Sequence, residues 1–288
     1  MYSINVPYFN LDQIFNSGQV FTWTKCSDGK YIVKYRDKIT SIQQKGEHLF
    51  FHCSEEDFYD IWWDYLDLST DYSNINYMYR KFGDDITAKL NRCKGLHIIN
   101  QDLFEVIIFS VLETATSIER VKQMIRGICE KCGKKHVNSL GDAGVVKWYE
   151  FPKPEQILKN KNKLTTQDVG YKMEIIENIC ESIIDGWLDL YMLMLMDTED
   201  AIDYLMEFKG ISRKVAESIC LYGLHRFECF PIDTHINQFF NKEYDMSPEE
   251  WLGENIYCTK YEKYVGYLRQ TIFYNEINPP KRMENKII

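Results

Sequence analysis

The sequence lacks any apolar run of the roughly 18 residues that a membrane-spanning helix requires, although 45% of its 288 residues are hydrophobic. Its amino terminus, MYSINVPYFNLDQIF, has neither the basic start nor the continuous apolar stretch of a secretory signal. Internal repeats and low-complexity linkers are also missing. These absences predict a cytoplasmic protein without a membrane partner, folded as one large domain or, as we expect, two medium ones.

A dense cysteine framework is absent as well, since nine cysteines are scattered from Cys26 to Cys258. An odd, dispersed set fits free thiols in a reducing compartment. Cys129, Cys132 and His136 have the spacing of half a zinc site, but no second pair accompanies them. Four clustered cysteines for an iron–sulfur centre are also lacking. We therefore expect neither a metal nor a cofactor.

Net positive charge is lacking, because 43 acidic residues outnumber 34 Lys and Arg and leave a net charge of -9. This balance argues against a broad basic surface. Attraction to phosphate depends, however, on local cations and backbone amide groups and not on the total charge. A nucleic-acid partner therefore stays possible.

Two kinds of periodicity divide the chain. Residues 30–53 alternate β-favouring and polar side chains between turn signals, which predicts an antiparallel sheet. After Glu55 the apolar residues recur at helical spacing, and helices are predicted at residues 102–113, 117–132, 172–184, 200–208, 212–222 and 260–277. Trp62, Trp63 and the run 191–196 are expected in the core. The result is an α+β protein, with an antiparallel sheet domain and flanking helices over 1–94 and an all-helical domain over 95–288.

The stretch LMEFKGISRKVAESICLYGLHRFECFPIDTHINQFF (205–240) is the most informative one. A helix ends at Phe208, a short turn contains Gly210, and a second helix begins near Ser212, which can act as its N-cap. This pattern predicts a helix-hairpin-helix. Its turn offers free backbone N–H groups and the positive end of a helix dipole, which can hold a phosphate without a basic surface.

Two ionisable residues of this stretch suggest chemistry. Lys214 falls in the first turn of the second helix, where a positive helix end and partial burial would favour a neutral, nucleophilic amine. Asp233 follows Pro231 and can cap the next helix, which would fix its carboxylate where it faces Lys214. By itself, a lone lysine is usually a surface charge and a Pro-x-Asp usually a cap.

These residues resemble the signature of the 8-oxoguanine DNA glycosylase/AP lyases, a family of the helix-hairpin-helix superfamily. The resemblance covers GISRKVA (210–216) and PIDTH (231–235), with the family's lysine-to-aspartate spacing. It extends to SGQVFTW (17–23), WDYLDL (63–68), GYK (170–172) and the last helix up to Phe273. Nearly the whole chain is therefore included.

The resemblance implies excision of an oxidised purine from duplex DNA by a monomer. The base would flip into a pocket, the Lys214 amine would attack C1′ of the sugar, and a Schiff base would lead to strand cleavage by β-elimination. Asp233 would stabilise the positive charge that develops on the sugar.

The resemblance also implies contacts to the base and to phosphates. Gly18 would offer its carbonyl to the N7–H of the oxidised guanine, and Phe273 would stack on the base. Ser218 and Arg269 stand in the same base site, where family members often have cysteine and glutamine. The implied phosphate contacts are Gly210, Ile211, Ser212 and His235.

The residues implied to face the base opposite the lesion depart from the family pattern. Ala115 replaces an asparagine side chain, whereas Arg120, Tyr171 and Lys172 stand where the family uses arginine and tyrosine. A weaker preference for cytosine is therefore expected.

Two alternatives stay open. A monofunctional glycosylase for alkylated bases of the 3-methyladenine type would use the aspartate and would not require Lys214. A non-enzymatic hairpin module would only bind DNA, and it would not require Lys214 and Asp233 to occur together.

Overall fold

The computed structural model describes residues 1–141 and 144–280. A five-stranded antiparallel sheet opens the chain, in the order β1-β5-β4-β3-β2. Its strands are β1 (Tyr2–Asn5), β2 (Trp23–Lys25), β3 (Tyr31–Tyr35), β4 (Lys38–Lys45) and β5 (His48–Phe51). The sheet predicted for residues 30–53 is confirmed, and β1 and β2 add an edge strand on each side.

Helices follow the sheet and dominate the rest of the chain. Those before residue 100 are α1 (Leu11–Phe15), α2 (Glu55–Asp57), α3 (Trp63–Tyr65), α4 (Tyr72–Tyr79) and α5 (Asp84–Arg92), and a π-helical turn, Phe58–Trp62, joins α2 to α3. Next come α6 (Leu103–Glu113), α7 (Ile118–Cys132), α8 (Pro154–Asn160), α9 (Thr166–Val169) and α10 (Met173–Ile184). The last are α11 (Leu190–Leu195), α12 (Thr198–Met206), α13 (Arg213–Gly223), α14 (Thr234–Tyr244), α15 (Pro248–Asn255) and α16 (Val265–Ile277). The predicted α+β class is confirmed.

A second, two-stranded sheet corrects the expectation of an all-helical second half. Strands β6 (Lys135–Ser139) and β7 (Val145–Tyr149) pair in antiparallel fashion between α7 and α8. His136 Nε2 lies 2.8 Å from a Glu150 carboxylate oxygen in this hairpin. Cys129 and Cys132 are buried in the helical core instead.

Helix α6 is the central helix of the larger core. Its apolar residues are buried on every side, as expected for a helix that is hydrophobic all round. Asp102 caps its first turn by accepting from the backbone N–H groups of Phe104 and Glu105. Helix α13 packs along α6, so the hairpin helix is held by a helix whose apolar residues are all buried.

Two apolar cores support the site. The smaller core lies under the five-stranded sheet, and the larger one includes α4 and α5 together with the later helices. Gln19 ties the segment before β2 to the segment before α6, because its side chain donates to the His97 carbonyl at 2.8 Å and accepts from the Ile99 N–H at 2.9 Å. Among the described residues, no helix is both long and apolar enough to cross a membrane.

Candidate active site

The predicted hairpin is formed by α12, a turn and α13. Gly210 occupies the turn with φ of +89°, a left-handed conformation that favours glycine. Ser212 stands at the N-cap position of α13 with an extended backbone, but its side chain forms no capping bond. The Ile211 N–H already donates to the Phe208 carbonyl at 3.1 Å. The turn therefore leaves Gly210 and the amino end of α13, more than Ile211, open to a phosphate.

A cavity of about 420 Å³ lies beside the hairpin. All six residues predicted for catalysis and base binding line it, and so do one predicted opposite-base residue and one predicted phosphate contact: Gly18, Lys214, Ser218, Asp233, Arg269 and Phe273, with Ala115 and His235. The other predicted contacts, Arg120, Tyr171, Lys172, Gly210, Ile211 and Ser212, lie outside its lining. One cavity thus gathers side chains from distant parts of the sequence.

Lys214 lies in the first turn of α13, as predicted. Its side chain is exposed, so the expected partial burial is wrong. Within residues 1–141 and 144–280 its amine has no hydrogen-bond or ion-pair partner. The amine is therefore free to meet a substrate in the cavity.

Asp233 caps α14 by accepting from the Ile236 N–H at 3.0 Å, as predicted. Its other carboxylate oxygen forms an ion pair with Arg269, and both side chains are largely buried. Arg269 also donates to the Pro231 carbonyl at 3.0 Å and to the Tyr222 hydroxyl at 2.7 Å. The guanidinium is thereby fixed against the wall that carries Asp233.

Gly18 and Phe273 lie in close contact at the wall of the cavity. A Cβ placed on Gly18 would lie 3.0 Å from the Phe273 ring, and its φ of +80° also favours glycine. The Gln270 side chain donates to the Ser17 carbonyl at 3.0 Å, which ties this segment to α16. The His235 ring lies 5.6 Å from the Phe273 ring, centre to centre. A flat ligand in the cavity could stack on Phe273 beside this contact.

Glu113 is a cavity residue that the sequence reasoning missed. Burial raises the pKa of its carboxyl to about 7, even though Arg269 and Lys214 oppose that shift. Tyr222 was missed too, and burial raises the pKa of its hydroxyl to about 12. The sequence did contain a signal for Glu113. It is a carboxylate at the carboxyl end of an apolar helix, where its charge opposes the helix dipole.

The residues predicted to face the opposite base have local partners. The Lys172 amine donates to the carbonyls of Leu112 and Thr114, both at 2.6 Å, and so caps the carboxyl end of α6. Arg120 donates to the Gln167 carbonyl at 2.6 Å. Tyr171, in contrast, is 99% exposed. Of these three, only Tyr171 projects freely.

Comparison with known proteins agrees with this architecture. Residues 1–107 match the family model described as the 8-oxoguanine DNA glycosylase N-terminal domain. The chain is 23% identical over 176 residues to the N-glycosylase/DNA lyase of Saccharomyces cerevisiae. That match covers 57% of this chain and 46% of the yeast protein, less than half of its length.

Solved structures resemble the whole chain. The structure of MBOgg1 in complex with a low-affinity DNA ligand has a TM-score of 0.87 at 26% identity, covering 96% of this chain and 95% of that one. The Clostridium acetobutylicum 8-oxoguanine glycosylase/lyase, bound to double-stranded DNA with cytosine opposite 8-oxoG, has a TM-score of 0.81 at 25% identity, covering 93% and 91%.

Fold and site together define a helix-hairpin-helix protein that presents a free lysine and a capping aspartate in one cleft. The chain resembles the 8-oxoguanine DNA glycosylases over nearly its whole length, and residues 1–107 match the model of their N-terminal domain. The resemblance drawn from the sequence motifs is thereby confirmed.

Proposed function

We propose that this protein is a bifunctional DNA N-glycosylase/AP lyase that excises 8-oxoguanine from duplex DNA. One observation carries the proposal: the Lys214 amine is unpaired among the described residues and shares a cavity with Asp233 beside the hairpin. An amine that attacks a sugar carbon must be free, and a fixed carboxylate stabilises the positive charge that grows on the sugar.

The roles of the remaining cavity residues follow from their positions. The flipped base would enter the cavity that Gly18 and Phe273 line, with the Gly18 carbonyl accepting from N7–H and the Phe273 ring stacking on the base. Ser218 lines the same cavity. A guanidinium has donors but no acceptor, so Arg269 can contact only acceptor atoms of the base.

Phosphate binding would use the hairpin and the start of α14. The Gly210 turn and the uncapped amino end of α13 at Ser212 present backbone N–H groups to the DNA. His235 is exposed beside the cavity and would meet a phosphate near the lesion. Because Ile211 is buried and its N–H is engaged, it would serve mainly to hold the turn.

Weak discrimination of the opposite base is part of the proposal. Ala115 has no amide to pair with cytosine, and the Lys172 amine and Arg120 guanidinium are engaged by backbone carbonyls. Tyr171 is free to fill the gap left by the flipped base. We therefore propose that a monomer accepts 8-oxoguanine opposite several bases.

Borohydride trapping tests the function. Purified protein is mixed with duplexes that carry 8-oxoguanine opposite each of the four bases, borohydride is added, and covalent complexes are resolved on a denaturing gel. We expect a trapped complex from the wild type and none from Lys214→Gln, which removes the amine but retains length and polarity. The variant should fold normally because Lys214 is exposed.

Lys209→Gln is the matched control, because this exposed lysine lies on the same hairpin and pairs with Glu174. It should still form the adduct. Trapping by Lys214→Gln at the wild-type rate would show that another amine is the nucleophile. Base release by the wild type without any trapped complex would favour the monofunctional alkylated-base alternative, and DNA binding without base release would favour the non-enzymatic module.

A further inference from the structure

The cavity holds two inner carboxyl groups with different surroundings. Asp233 is engaged twice, by the Ile236 N–H and by the Arg269 guanidinium. The Glu113 carboxyl lines the same cavity but has no hydrogen bond or ion pair with any residue in the described ranges. It is the less constrained of the two.

Glu113 ends α6, whereas Lys214 begins α13, and these two helices pack against each other. Lys172 occupies the carbonyls at the end of α6, so it bonds to the backbone around Glu113 and leaves the Glu113 carboxyl without a partner. The geometry thus places an unpaired carboxyl group and an unpaired amine in one cavity.

The charged and titratable groups around Glu113 come from each neighbouring element. They are Lys214 and Tyr222 on α13, Arg269 on α16, Asp233 at the start of α14 and Lys172 before α10, while Glu119 on α7 and His235 on α14 also line the cavity. Burial is the largest influence and raises the pKa of Glu113 to about 7. A group with a pKa near neutrality both accepts and donates protons efficiently at neutral pH.

The ion pair with Arg269 limits the part that Asp233 can take in proton transfer. Both carboxylate oxygens of Asp233 are already bonded, one to the Ile236 N–H and the other to the Arg269 guanidinium, so Asp233 suits charge stabilisation better than proton exchange. The group that accepts a proton from the Lys214 ammonium must then be another residue of the cavity.

We propose that Glu113 is a second catalytic carboxyl group, which takes a proton from the Lys214 ammonium and returns it to the departing base. This inference rests on the proposed glycosylase/lyase function. In the first step the carboxylate becomes a carboxylic acid and the ammonium becomes an amine. The amine then forms a bond to C1′ as the bond from C1′ to the base breaks. The leaving base takes the bonding electron pair, and the proton from Glu113 neutralises it.

The test compares Glu113→Gln with Glu105→Gln, a matched control on the same helix. Glu105 is also a buried carboxyl with a raised pKa, but it lines a different cleft. Single-turnover rates are measured from pH 6 to 8 on two duplexes, one with 8-oxoguanine and one with a preformed abasic site, the second read by borohydride trapping. The abasic substrate isolates deprotonation of the lysine from recognition of the base.

The wild-type rates should rise with pH through about 7, because Glu113 must be ionised to accept the proton. Glu113→Gln should lose that rise and be slowed by about 10²-fold on both duplexes, whereas Glu105→Gln should keep the wild-type profile. Glu113→Asp, which retains a carboxyl, should keep a pH-dependent rise at a reduced rate.

Two results would overturn the role of Glu113 and leave the proposed function intact: wild-type rates from Glu113→Gln, or a defect confined to the 8-oxoguanine duplex. A wild-type protein that forms no adduct on either duplex would overturn both proposals.

Discussion

At the scale of single residues, Arg269 adds a buried positive charge that contacts both Asp233 and Phe273. Where the family pattern has glutamine, this chain places a guanidinium that pairs with Asp233 and lies 4.5 Å above the Phe273 ring. Two residues with separate implied roles, catalysis and base binding, are thereby coupled. Substitutions of either one should affect both stability and chemistry.

Asp233→Asn should separate these effects. The Asn oxygen can still accept from the Ile236 N–H, but Arg269 would be left buried without a carboxylate. Breaking a buried pair in this way typically costs about 3 to 5 kcal/mol, so the free energy of unfolding should fall by that order. Excision should slow by orders of magnitude with little loss of affinity. Denaturant unfolding and single-turnover rates measure the two effects.

The double variant Asp233→Asn/Arg269→Gln is the control for stability. It removes the unpaired guanidinium, so it should recover part of the lost free energy of unfolding without recovering the rate. If rate and stability recovered together, the role of Asp233 would be structural.

The sequence located site residues where a motif specified them. The motifs led to the residues that now line one cavity, and the Asp233 cap followed from Pro-Ile-Asp. Glu113 belongs to no motif, and the nearby charges of Arg269 and Lys214 lie more than 100 positions away along the chain. The exposure of Lys214 was also not predictable, because it depends on how α13 meets the other walls of the cavity.

At the scale of elements, exposed polar strands escaped prediction. Strand β6 is mostly exposed and reads KHVNS, which lacks the apolar alternation of a half-buried strand. The prediction that the run 191–196 lies in the core is wrong, because most of this apolar run is exposed. Only Leu193 is buried there, whereas Tyr191, Met192, Met194 and Leu195 are exposed. Hydrophobicity alone did not show which face of this short helix packs inward.

The hairpin turn gives a prediction at this scale. In Gly210→Ala, the new Cβ would adopt a left-handed φ and lie 2.7 Å from the Ile175 side chain. We expect a loss of about 1 to 3 kcal/mol in stability and weaker duplex binding, with the rate at saturating protein nearly unchanged. Binding titrations and single-turnover rates on the 8-oxoguanine duplex check this.

Gly253→Ala is the control for that substitution. Gly253 lies inside α15, and a Cβ there meets nothing within 4 Å. Alanine should therefore stabilise the protein by about 0.5 to 1 kcal/mol without changing DNA affinity. Unchanged duplex binding by Gly210→Ala would exclude the turn as a phosphate contact.

The loop between α6 and α7 gives a second prediction. Ala115 is exposed with a φ of +52°, a conformation that asparagine tolerates better than alanine. Ala115→Asn should thus fold at least as well as the wild type. It should also sharpen the preference for cytosine, because a restored bidentate contact is typically worth about 1 to 3 kcal/mol.

Single-turnover rates opposite cytosine, thymine, guanine and adenine measure that preference. Ala115→Gly relieves the same backbone strain without adding an amide, so it should leave the four ratios unchanged. If asparagine left them unchanged too, other residues would supply the readout.

At the scale of the whole molecule, the two cores do not divide the chain at residue 94. Tyr79, Ile86 and Leu90 of α4 and α5 are completely buried in the helical core. Polar contacts reinforce this packing, since Arg92 donates to the Asn275 side chain at 2.8 Å. The sequence marked a change of pattern near Cys93 but could not show which core the preceding helices join. The division at residue 94 stays a prediction, and the packing favours an earlier folding boundary.

Two fragments test that boundary. The fragment 95–288 lacks α4 and α5 and would expose the apolar surface that Tyr79, Ile86 and Leu90 cover, so it should show no cooperative thermal transition by circular dichroism. The fragment 70–288 restores both helices and should melt cooperatively. Neither fragment should excise the base, because Gly18 and the segment anchored by Gln270 are absent from both. Cooperative melting of both fragments at the same temperature would instead place the folding boundary at residue 94, because α4 and α5 would then add no stability to the helical unit.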